Sequence, residues 1–313
     1  MRVLLALGGN AMTAADGSAT PDAQLAAVGV AMEAAARLVA EGHELVITHG
    51  NGPQVGNLLV KNELAAHVVP PVPLDWCGAQ TQGTLGFAIL DALDGALAAA
   101  GTTHPVAALV TRTLVDRDDP GFTHPTKPIG RYLAEDQAKA MVAHGQVWED
   151  RGDKGWRRVV ASPEPLEVVD VEPIRALLAA GHVVVAAGGG GIPVVRGDDG
   201  RLRGVEAVID KDLTAALLAR TLDADVLVIA TDVDHAAVDW GTPQQRDLGR
   251  VSLAEMRRHT ESGQFASGSM GPKVDAATRF VEGGGPRAVI TSLTHITEAV
   301  EGGFGTVIEP EIS

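Results

Sequence analysis

The stretch RVLLALGGN (residues 2–10) decides the fold, because six largely apolar residues run directly into two glycines and an asparagine. A short apolar run that ends in a turn is typical of a buried strand. Similar runs predict five more strands, at residues 44–48, 106–110, 183–186, 226–229 and 288–291. Alanine-rich amphipathic segments predict the helices between them, at residues 22–41, 54–66, 77–100, 173–180, 211–221, 253–260 and 272–282. This alternation predicts an α/β fold whose mainly parallel sheet is covered by helices on both faces.

A polar segment interrupts the alternation between about residues 113 and 165. It is rich in Pro, Gly, Asp and Trp. It contains a short helical pattern at residues 135–143 and a predicted hairpin, QVWEDRGDKGWRRVV, at residues 146–160. A segment of this length exceeds an ordinary connection between a strand and a helix. We therefore expect an inserted, lid-like subdomain.

The composition limits the classes of partner. The 313 residues carry 25 basic and 40 acidic side chains, a net charge of −15. Nucleic acids and anionic membranes favour basic surfaces, so this charge argues against both. No apolar run reaches the roughly 18 residues of a membrane span. Because Cys77 is the only cysteine, no intrachain disulfide can form, and we expect a cytoplasmic protein.

Four of the predicted strands end in glycine-rich or acidic turns: GGN at 8–10, HGNG at 49–52, GGGG at 188–191 and TDVD at 231–234. Ligands of open parallel sheets bind beyond the carboxyl ends of the strands, and a glycine turn before a helix presents N–H groups to phosphates. The turns therefore predict a phosphate site. For GGN and HGNG, the alternative is an ordinary tight turn without a ligand. For GGGG, four residues without a Cβ atom allow close approach of either a ligand or another chain segment.

Three of the six lysines lie beside these features. Lys211 and Lys273 fall in the first turns of predicted helices, where a cation is unfavourable unless an anion lies nearby. Asp210, directly before Lys211, has the ordinary pattern of a helix N-cap. Lys127 lies between two prolines in the inserted segment, which suits a lysine held at a fixed point, although a solvated lysine on a rigid loop is the alternative. These lysines are the predicted source of positive charge for the phosphate site.

Other catalytic patterns are missing from the sequence. It contains no G-x-x-x-x-G-K-[ST] loop and no G-x-S-x-G elbow, and its histidines and cysteine have no metal-ligand spacing. We expect His49 to be a structural histidine at a strand end and Cys77 to be a buried structural thiol. Hydrolase and zinc-enzyme functions therefore lack support.

Taken together, seven motifs occur in a characteristic order: ALGGNA (6–11), HGNGPQVGN (49–57), PTKPIG (125–130), GWRRVVASPEP (155–165), GGGGIPVV (188–195), GVEAVIDKD (204–212) and GSMGPK (268–273). In this set the chain resembles the carbamate kinases of the amino acid kinase family. The resemblance implies a three-layer αβα sandwich, a homodimer, and Mg²⁺-assisted, reversible phosphoryl transfer between ATP and carbamate to give ADP and carbamoyl phosphate.

The same resemblance implies how residues 1–313 are organised as one amino acid kinase domain. An N-terminal lobe at about 1–178, which includes the inserted subdomain at about 113–165, would bind carbamate. A C-terminal lobe at about 179–313 would bind the nucleotide. The implied catalytic residues are Lys127, Lys211, Asp212 and Lys273. The implied phosphate and carbamate contacts are Gly8, Gly9, Asn10, Gly50, Asn51, Gly52, Gly189 and Gly190. The implied nucleotide contacts are Lys211, Asp232, Val233, Asp234, Ser269, Met270 and Lys273.

One difference within the family favours carbamate as the substrate. Many amino acid kinases have a lysine just before the first glycine pair, where this chain has Ala6; carbamate kinases lack it and supply one from the inserted subdomain, here Lys127. The chain also departs from the carbamate kinase pattern at four positions near the expected nucleotide pocket: Asp232, His235, Ser267 and Gly271. Another kinase forming acyl phosphates and a catalytically silent nucleotide or metabolite sensor are the two alternatives.

Overall fold

A computed structural model of the chain describes residues 1–8, 20–143, 145–265 and 269–311. Gly9, Asn10 and Ser267 lie outside these ranges. The strands in the described residues are β1 (Arg2–Leu7), β2 (Glu44–His49), β3 (Val106–Ala108), β4 (Arg112–Leu114), β5 (Lys127–Leu133), β6 (Val147–Asp150), β7 (Trp156–Val160), β8 (Glu167–Val168), β9 (Val183–Val185), β10 (Ile192–Arg196), β11 (Leu202–Gly204), β12 (Val226–Thr231), β13 (Ala237–Val238), β14 (Arg246–Asp247), β15 (Arg250–Ser252), β16 (Arg287–Ser292) and β17 (Thr306–Glu309).

The helices in the described residues lie between these strands. They are α1 (Pro21–Ala40), α2 (Gly52–Ala65), α3 (Leu74–Ala99), α4 (Pro120–Thr123), α5 (Glu135–Val142), α6 (Val171–Ala179), α7 (Lys211–Thr221), α8 (Leu253–Glu261), α9 (Met270–Glu282) and α10 (Ile296–Val300). Single 3₁₀ turns occur at Gly152–Lys154, Gly188–Gly190 and Leu293–His295. No helix in the described ranges is long and apolar enough to cross a bilayer.

The central sheet has the strand order β15-β17-β16-β12-β1-β2-β9-β3. Its neighbouring strands are parallel except for β16 and β17, which pair antiparallel. Strand β1 lies in the middle, so the turn after Leu7 opens at the centre of the carboxyl edge. The mainly parallel sheet predicted from the sequence is confirmed, and the six predicted strands are all present in it.

Alternate residues of β1 enter two different cores. Leu4 and Ala6 pack in a cluster with residues of α6, α7 and α9. Val3, Leu5 and Leu7 pack on the other face, with residues of α1, α3 and α10. This period of two places helices on both sides of the sheet, which gives the three-layer αβα sandwich.

Strand β3 ends two residues before the predicted boundary, and Gln82 on α3 explains why. Its amide donates to the carbonyl oxygen of Thr111 (3.1 Å) and accepts from the N–H of Thr111 (2.8 Å). The N–H of Thr111 is therefore bonded to a side chain, and its carbonyl oxygen also accepts from the N–H of Ile192 at the start of β10 (2.9 Å). From there the chain passes into β4, which belongs to a second, four-stranded sheet of order β11-β10-β4-β8.

The inserted segment contains its own antiparallel sheet, of order β5-β7-β6. The predicted hairpin is confirmed as β6 and β7, joined through the 3₁₀ turn. Helix α2 packs closely on this sheet, since a Cβ atom at Gly56 would lie 3.3 Å from the Cα atom of Gly130. This sheet spans residues 127–160 and so covers less of the chain than the predicted insertion at about 113–165, the start of which lies in β4 of the four-stranded sheet. The division into two lobes stays a prediction.

Candidate active site

The first turn of α7 carries a cluster of opposite charges. Asp210 is the N-cap, as predicted, and its Oδ1 atom accepts from the N–H groups of Asp212 (2.9 Å) and Leu213 (3.3 Å). Lys211 Nζ donates to Asp212 Oδ1 at 2.5 Å, and Lys273 Nζ, from the first turn of α9, lies 3.4 Å from Asp212 Oδ2. Asp212 is buried and lies between these two lysines.

The third lysine reaches the cluster from the inserted sheet. Lys127, the first residue of β5, donates from Nζ to Asp210 Oδ2 at 2.6 Å. The structure therefore shows an ion-paired lysine at this position instead of a freely solvated one. Lysines from three distant parts of the chain meet on two carboxylates that are two residues apart.

Three ammonium groups and two carboxylates leave one positive charge in excess. Burial alone would raise the pKa of Asp210, but Lys127, Lys211 and the N–H of Asp212 together hold it below its usual range. Burial and the neighbouring charge of Lys211 lower the pKa of Lys273, against the opposing effect of Asp212. Such a cluster favours an incoming anion, because a phosphate would relieve the repulsion among the lysines.

The first two glycine turns use their leading N–H groups within the sheet. Gly8 donates to the carbonyl oxygen of Ala230 (2.8 Å), and Gly50 donates to that of Leu7 (2.9 Å). Both N–H groups therefore extend the ladder of β1, and the predicted contacts of Gly8 and Gly50 with a phosphate or carbamate stay a prediction. The donors of the second turn lie further on, in the first turn of α2, which begins at Gly52.

Asn51 connects this turn to α3. It occupies the N-cap position of α2 without capping it, and its buried side chain donates instead to Thr81 Oγ1 at 2.9 Å. The first N–H groups of α2 are therefore left without a side-chain cap from Asn51.

The four consecutive glycines are required by neighbouring chain segments. Cβ atoms added at residues 188–191 would lie 2.3 Å from His49 Nε2, 2.1 Å from Asn51 Nδ2, 2.8 Å from the carbonyl oxygen of Ile209 and 2.0 Å from Thr113 Oγ1. Of the two explanations offered by the sequence, close approach of another segment is therefore present at all four positions. The run joins the turn after β2 to the residue just before Asp210.

Gly190 also fixes the position of α7. Its carbonyl oxygen accepts hydrogen bonds from the hydroxyls of Thr113 (2.9 Å) and Thr214 (3.1 Å), and Thr214 lies in the first turns of α7. The turn after β9 and the lysine-bearing end of α7 are thereby held in one arrangement.

His49 and Cys77 are structural, as the sequence predicted. Burial lowers the pKa of His49 to about 4, so the ring is neutral near pH 7, and its Nδ1 lies 3.1 Å from the carbonyl oxygen of Gly50. Burial raises the pKa of the Cys77 thiol, which packs in the apolar cluster between α2 and α3 with Asn62 Nδ2 at 3.7 Å. Neither side chain is suited to general base or nucleophilic chemistry here.

The predicted nucleotide contacts lie at the end of β12 and the start of α9. Asp232, Val233 and Asp234 follow β12 directly, and the hydroxyl of Thr231 donates to Asp232 Oδ1 at 3.0 Å. Ser269 is at the N-cap position of α9, before Met270, and its carbonyl oxygen accepts from Lys273 at 3.3 Å.

Two departures from the carbamate kinase pattern have structural contacts of their own. The ring of His235 lies 5.0 Å from that of Phe304, which stacks on His295 at 3.8 Å. A Cβ atom at Gly271 would lie 2.7 Å from the carbonyl oxygen of Phe265, so this backbone passes too close for a side chain. Both positions therefore make close contacts within this chain.

Sequence reasoning missed the importance of two residues. Asp210 was interpreted as an ordinary helix cap. The presence of two carboxylates, Asp210 and Asp212, on either side of the single Lys211 was a signal that one of them pairs with a different lysine. Gln82, which also donates to the carbonyl oxygen of Gly188 at 2.9 Å, lies in an ordinary helical pattern and gave no signal. Within residues 1–8, 20–143, 145–265 and 269–311, no group of three or more His, Cys, Asp or Glu residues could hold a metal ion.

A sequence model described as the amino acid kinase family matches residues 1–292. The chain belongs to the amino acid kinase family. Several relatives within this family are named as carbamate kinases. The carbamate kinase of Thermococcus kodakarensis is 46% identical, and the match covers 99% of both chains. A protein of Escherichia coli, named carbamate kinase-like protein YqeA, is 44% identical over 98% of each chain.

Solved structures of amino acid kinases agree with this assignment. The carbamate kinase of Giardia lamblia bound to AMP-PNP is 41% identical, with a TM-score of 0.92 over 98% of both chains. The αβα fold predicted from the sequence is therefore confirmed by an independent structure of the same family.

Proposed function

We propose that this protein is a carbamate kinase, which transfers a phosphoryl group reversibly between ATP and carbamate to give ADP and carbamoyl phosphate. The observation that carries the proposal is the meeting of Lys127, Lys211 and Lys273 around Asp210 and Asp212. Ala6 adds to it, because the first strand lacks the lysine of other amino acid kinases and the inserted sheet supplies one. The identity of 46% to a carbamate kinase over nearly the whole chain supports the same substrate.

The lysine cluster suits this chemistry. Carbamate is already an anion, so its oxygen can attack the γ-phosphorus without a general base, and the neutral, buried His49 is not needed as one. The remaining task is to position the reactants and to neutralise charge on the phosphoryl oxygens. Lys127 and Lys211 stabilise the transferring group, Lys273 holds the nucleotide phosphates, and Asp212 orients Lys211 and Lys273.

The glycine turns are the proposed contacts with the transferring phosphoryl group and with carbamate. We assign contacts with the transferring phosphoryl group to Gly8, Gly9 and Asn10, of which Gly9 and Asn10 lie outside the described residues. We assign contacts with carbamate to Gly50, Asn51 and Gly52, where the first N–H groups of α2 have no side-chain cap. Gly189 and Gly190 are the remaining proposed contacts with phosphate or carbamate. The nucleotide lies against Asp232, Val233, Asp234, Ser269 and Met270. Bound Mg²⁺ would supply further neutralisation of the phosphate charge, with phosphate oxygens and water as its main ligands.

The test is ATP formation from ADP and carbamoyl phosphate, with acetyl phosphate as a comparison donor. We expect rapid ATP formation with carbamoyl phosphate and little with acetyl phosphate. Lys127→Ala should lose most of this activity. Lys139→Ala is the matched control, because that lysine makes an exposed ion pair with Glu135 on α5 within the same insertion. Preference for acetyl phosphate, or full activity of Lys127→Ala, would contradict the proposal.

A catalytically silent sensor is the second candidate. The observation that favours it is the pair of departures at Asp232 and His235, beside the expected nucleotide site. A sensor would bind ADP in calorimetry yet form no ATP with either phosphate donor. Binding together with turnover would exclude it.

We also propose a cytoplasmic homodimer. Trp76 and Phe87 are exposed three turns apart on one face of α3, and exposed Val110 follows the edge strand β3. An apolar face beside an open sheet edge suits a second copy of the chain. Light scattering after size-exclusion chromatography should give twice the monomer mass, and Trp76→Glu should shift it towards the monomer. A wild-type mass of 32.3 kDa would contradict the dimer.

A further inference from the structure

Asp210 uses its two carboxylate oxygens for different purposes. Oδ1 accepts the N–H groups of Asp212 and Leu213 and so caps α7. Oδ2 accepts from Lys127 Nζ at 2.6 Å, across 83 positions of sequence. The side chain is only 14% exposed. One carboxylate therefore joins the helix turn that carries Lys211 to the lysine of the inserted sheet.

We propose that Asp210 is a positioning residue for Lys127, whose outer oxygen sets where that ammonium group meets the transferring phosphoryl group. The catalytic consequence rests on the proposed function; the structural coupling of Asp210 to Lys127 does not.

Lys127 needs such a partner because of where it lies. It begins β5, in a sheet separate from the central one, and a lysine side chain has several rotatable bonds whose freedom must be lost at a fixed site. Asp210 is the ion-pair partner that the structure records for it among the described residues. An ammonium group has three N–H donors. One donates to Asp210, which leaves two for oxygens of the phosphoryl group.

The charge of Asp210 persists in this setting. Burial disfavours the carboxylate, but Lys127, Lys211 and the capped N–H groups outweigh it and hold the pKa below its usual range. Both of its oxygens are therefore acceptors near neutral pH. Protonation does not release Lys127 under ordinary conditions.

Capping and positioning can be separated by substitution. Asparagine has one oxygen, so Asp210→Asn can cap α7 or accept from Lys127, but not both. Serine is a good N-cap residue, yet it has no carboxylate to pair with Lys127. Asp210→Ser therefore keeps the cap and removes the partner of Lys127.

The kinetic test compares Asp210→Ser, Lys127→Ala and the double variant in ATP formation. We expect Asp210→Ser to lose roughly tenfold or more in kcat/KM for carbamoyl phosphate, with an unchanged KM for ADP and a melting temperature near that of the wild type. The double variant should be no slower than Lys127→Ala alone. Full activity of Asp210→Ser, or a double variant whose loss is the product of the two single losses, would overturn the proposal.

Ser252→Ala is the matched control for capping. Ser252 caps α8, where its hydroxyl accepts from the N–H of Glu255. Its replacement should lower the melting temperature and leave kcat unchanged. A fall in kcat as large as that of Asp210→Ser would mean that loss of any helix cap slows the enzyme, and would overturn the specific role of Asp210.

A second readout needs no turnover. Limited acylation with acetic anhydride, followed by mass spectrometry, measures the reactivity of Lys127 relative to Lys139, which is paired with Glu135. Asp210→Ser should raise the reactivity of Lys127 relative to that of Lys139, because the amine of Lys127 loses both its anion and its hydrogen bond. Unchanged labelling would overturn the coupling. Raised labelling in a protein whose wild type forms no ATP would support the coupling and refute the proposed function.

Discussion

Gly190→Ala tests whether the contact between the glycine run and Ile209 holds the site together. The residue has a φ of +91°, and an added Cβ atom would lie 2.8 Å from the carbonyl oxygen of Ile209 and 3.2 Å from its carbonyl carbon. These are backbone atoms, so no side-chain rotation relieves the contact. The left-handed backbone costs about 1–2 kcal/mol and the overpacking about 1–3 kcal/mol, or about 2–5 kcal/mol in free energy of unfolding.

For a chain of this size, that loss lowers the melting temperature by roughly 4–10 °C. Because Ile209 directly precedes Asp210, its displacement also moves the cap of α7 and the partner of Lys127. We expect kcat for ATP formation to fall by about tenfold or more, since small misplacements at a reacting site are costly.

The assay is differential scanning calorimetry together with ATP formation. Gly95→Ala is the matched control: that glycine lies on α3, is exposed, and has no atom within 4 Å of an added Cβ. It should stabilise the protein by up to about 1 kcal/mol through helix propensity and leave kcat unchanged. A Gly190→Ala protein with the wild-type melting temperature and kcat would refute the reasoning.

Three other predictions concern buried polar groups. Lys273→Ala should raise the KM for ADP more than it lowers kcat, whereas an effect on kcat alone would contradict its assignment to the nucleotide. Burial lowers the pKa of His49 from 6.5 to about 4, so between these two pH values the unfolded chain binds one more proton than the folded protein. The free energy of unfolding should therefore fall by about 2 kcal/mol from pH 7 to pH 5. Chemical denaturation should show that slope, and His49→Gln should flatten it. Gln82→Leu should cost about 2 kcal/mol, because the buried N–H of Thr111 loses its partner while the carbonyl oxygens of Thr111 and Gly188 keep the N–H groups of Ile192 and Gly191; an unchanged free energy of unfolding in chemical denaturation would contradict this.

The sheet was predictable because its signal is local. Each central strand is a short apolar run, and the alternation of Leu4 with Leu5 between two cores follows from strand geometry alone. The end of β3 was predicted wrongly because Gln82, distant in sequence, bonds to Thr111 there. Strands as short as β13 and β14 have no periodic signal at all.

The site was predictable where residue types conflicted with their local positions. A lysine in the first turn of a helix, as at Lys211 and Lys273, is unfavourable without an anion, and this drew attention to both. The pairing of Lys127 with Asp210 was not predictable, because a good local explanation, the N-cap, already accounted for the aspartate. The use of the Gly8 and Gly50 N–H groups within the sheet depends on pairing with other strands, which no local pattern contains.

The position of β17 has a consequence for how the chain folds during synthesis. This strand is the last in the described residues, yet it lies inside the central sheet, between β15 and β16. Until it has left the ribosome, β15 has no neighbour and one edge of β16 is exposed. Unpaired edges invite association with other chains. We expect nascent chains that stop before Thr306 to aggregate, because β15 and β16 then keep unpaired edges.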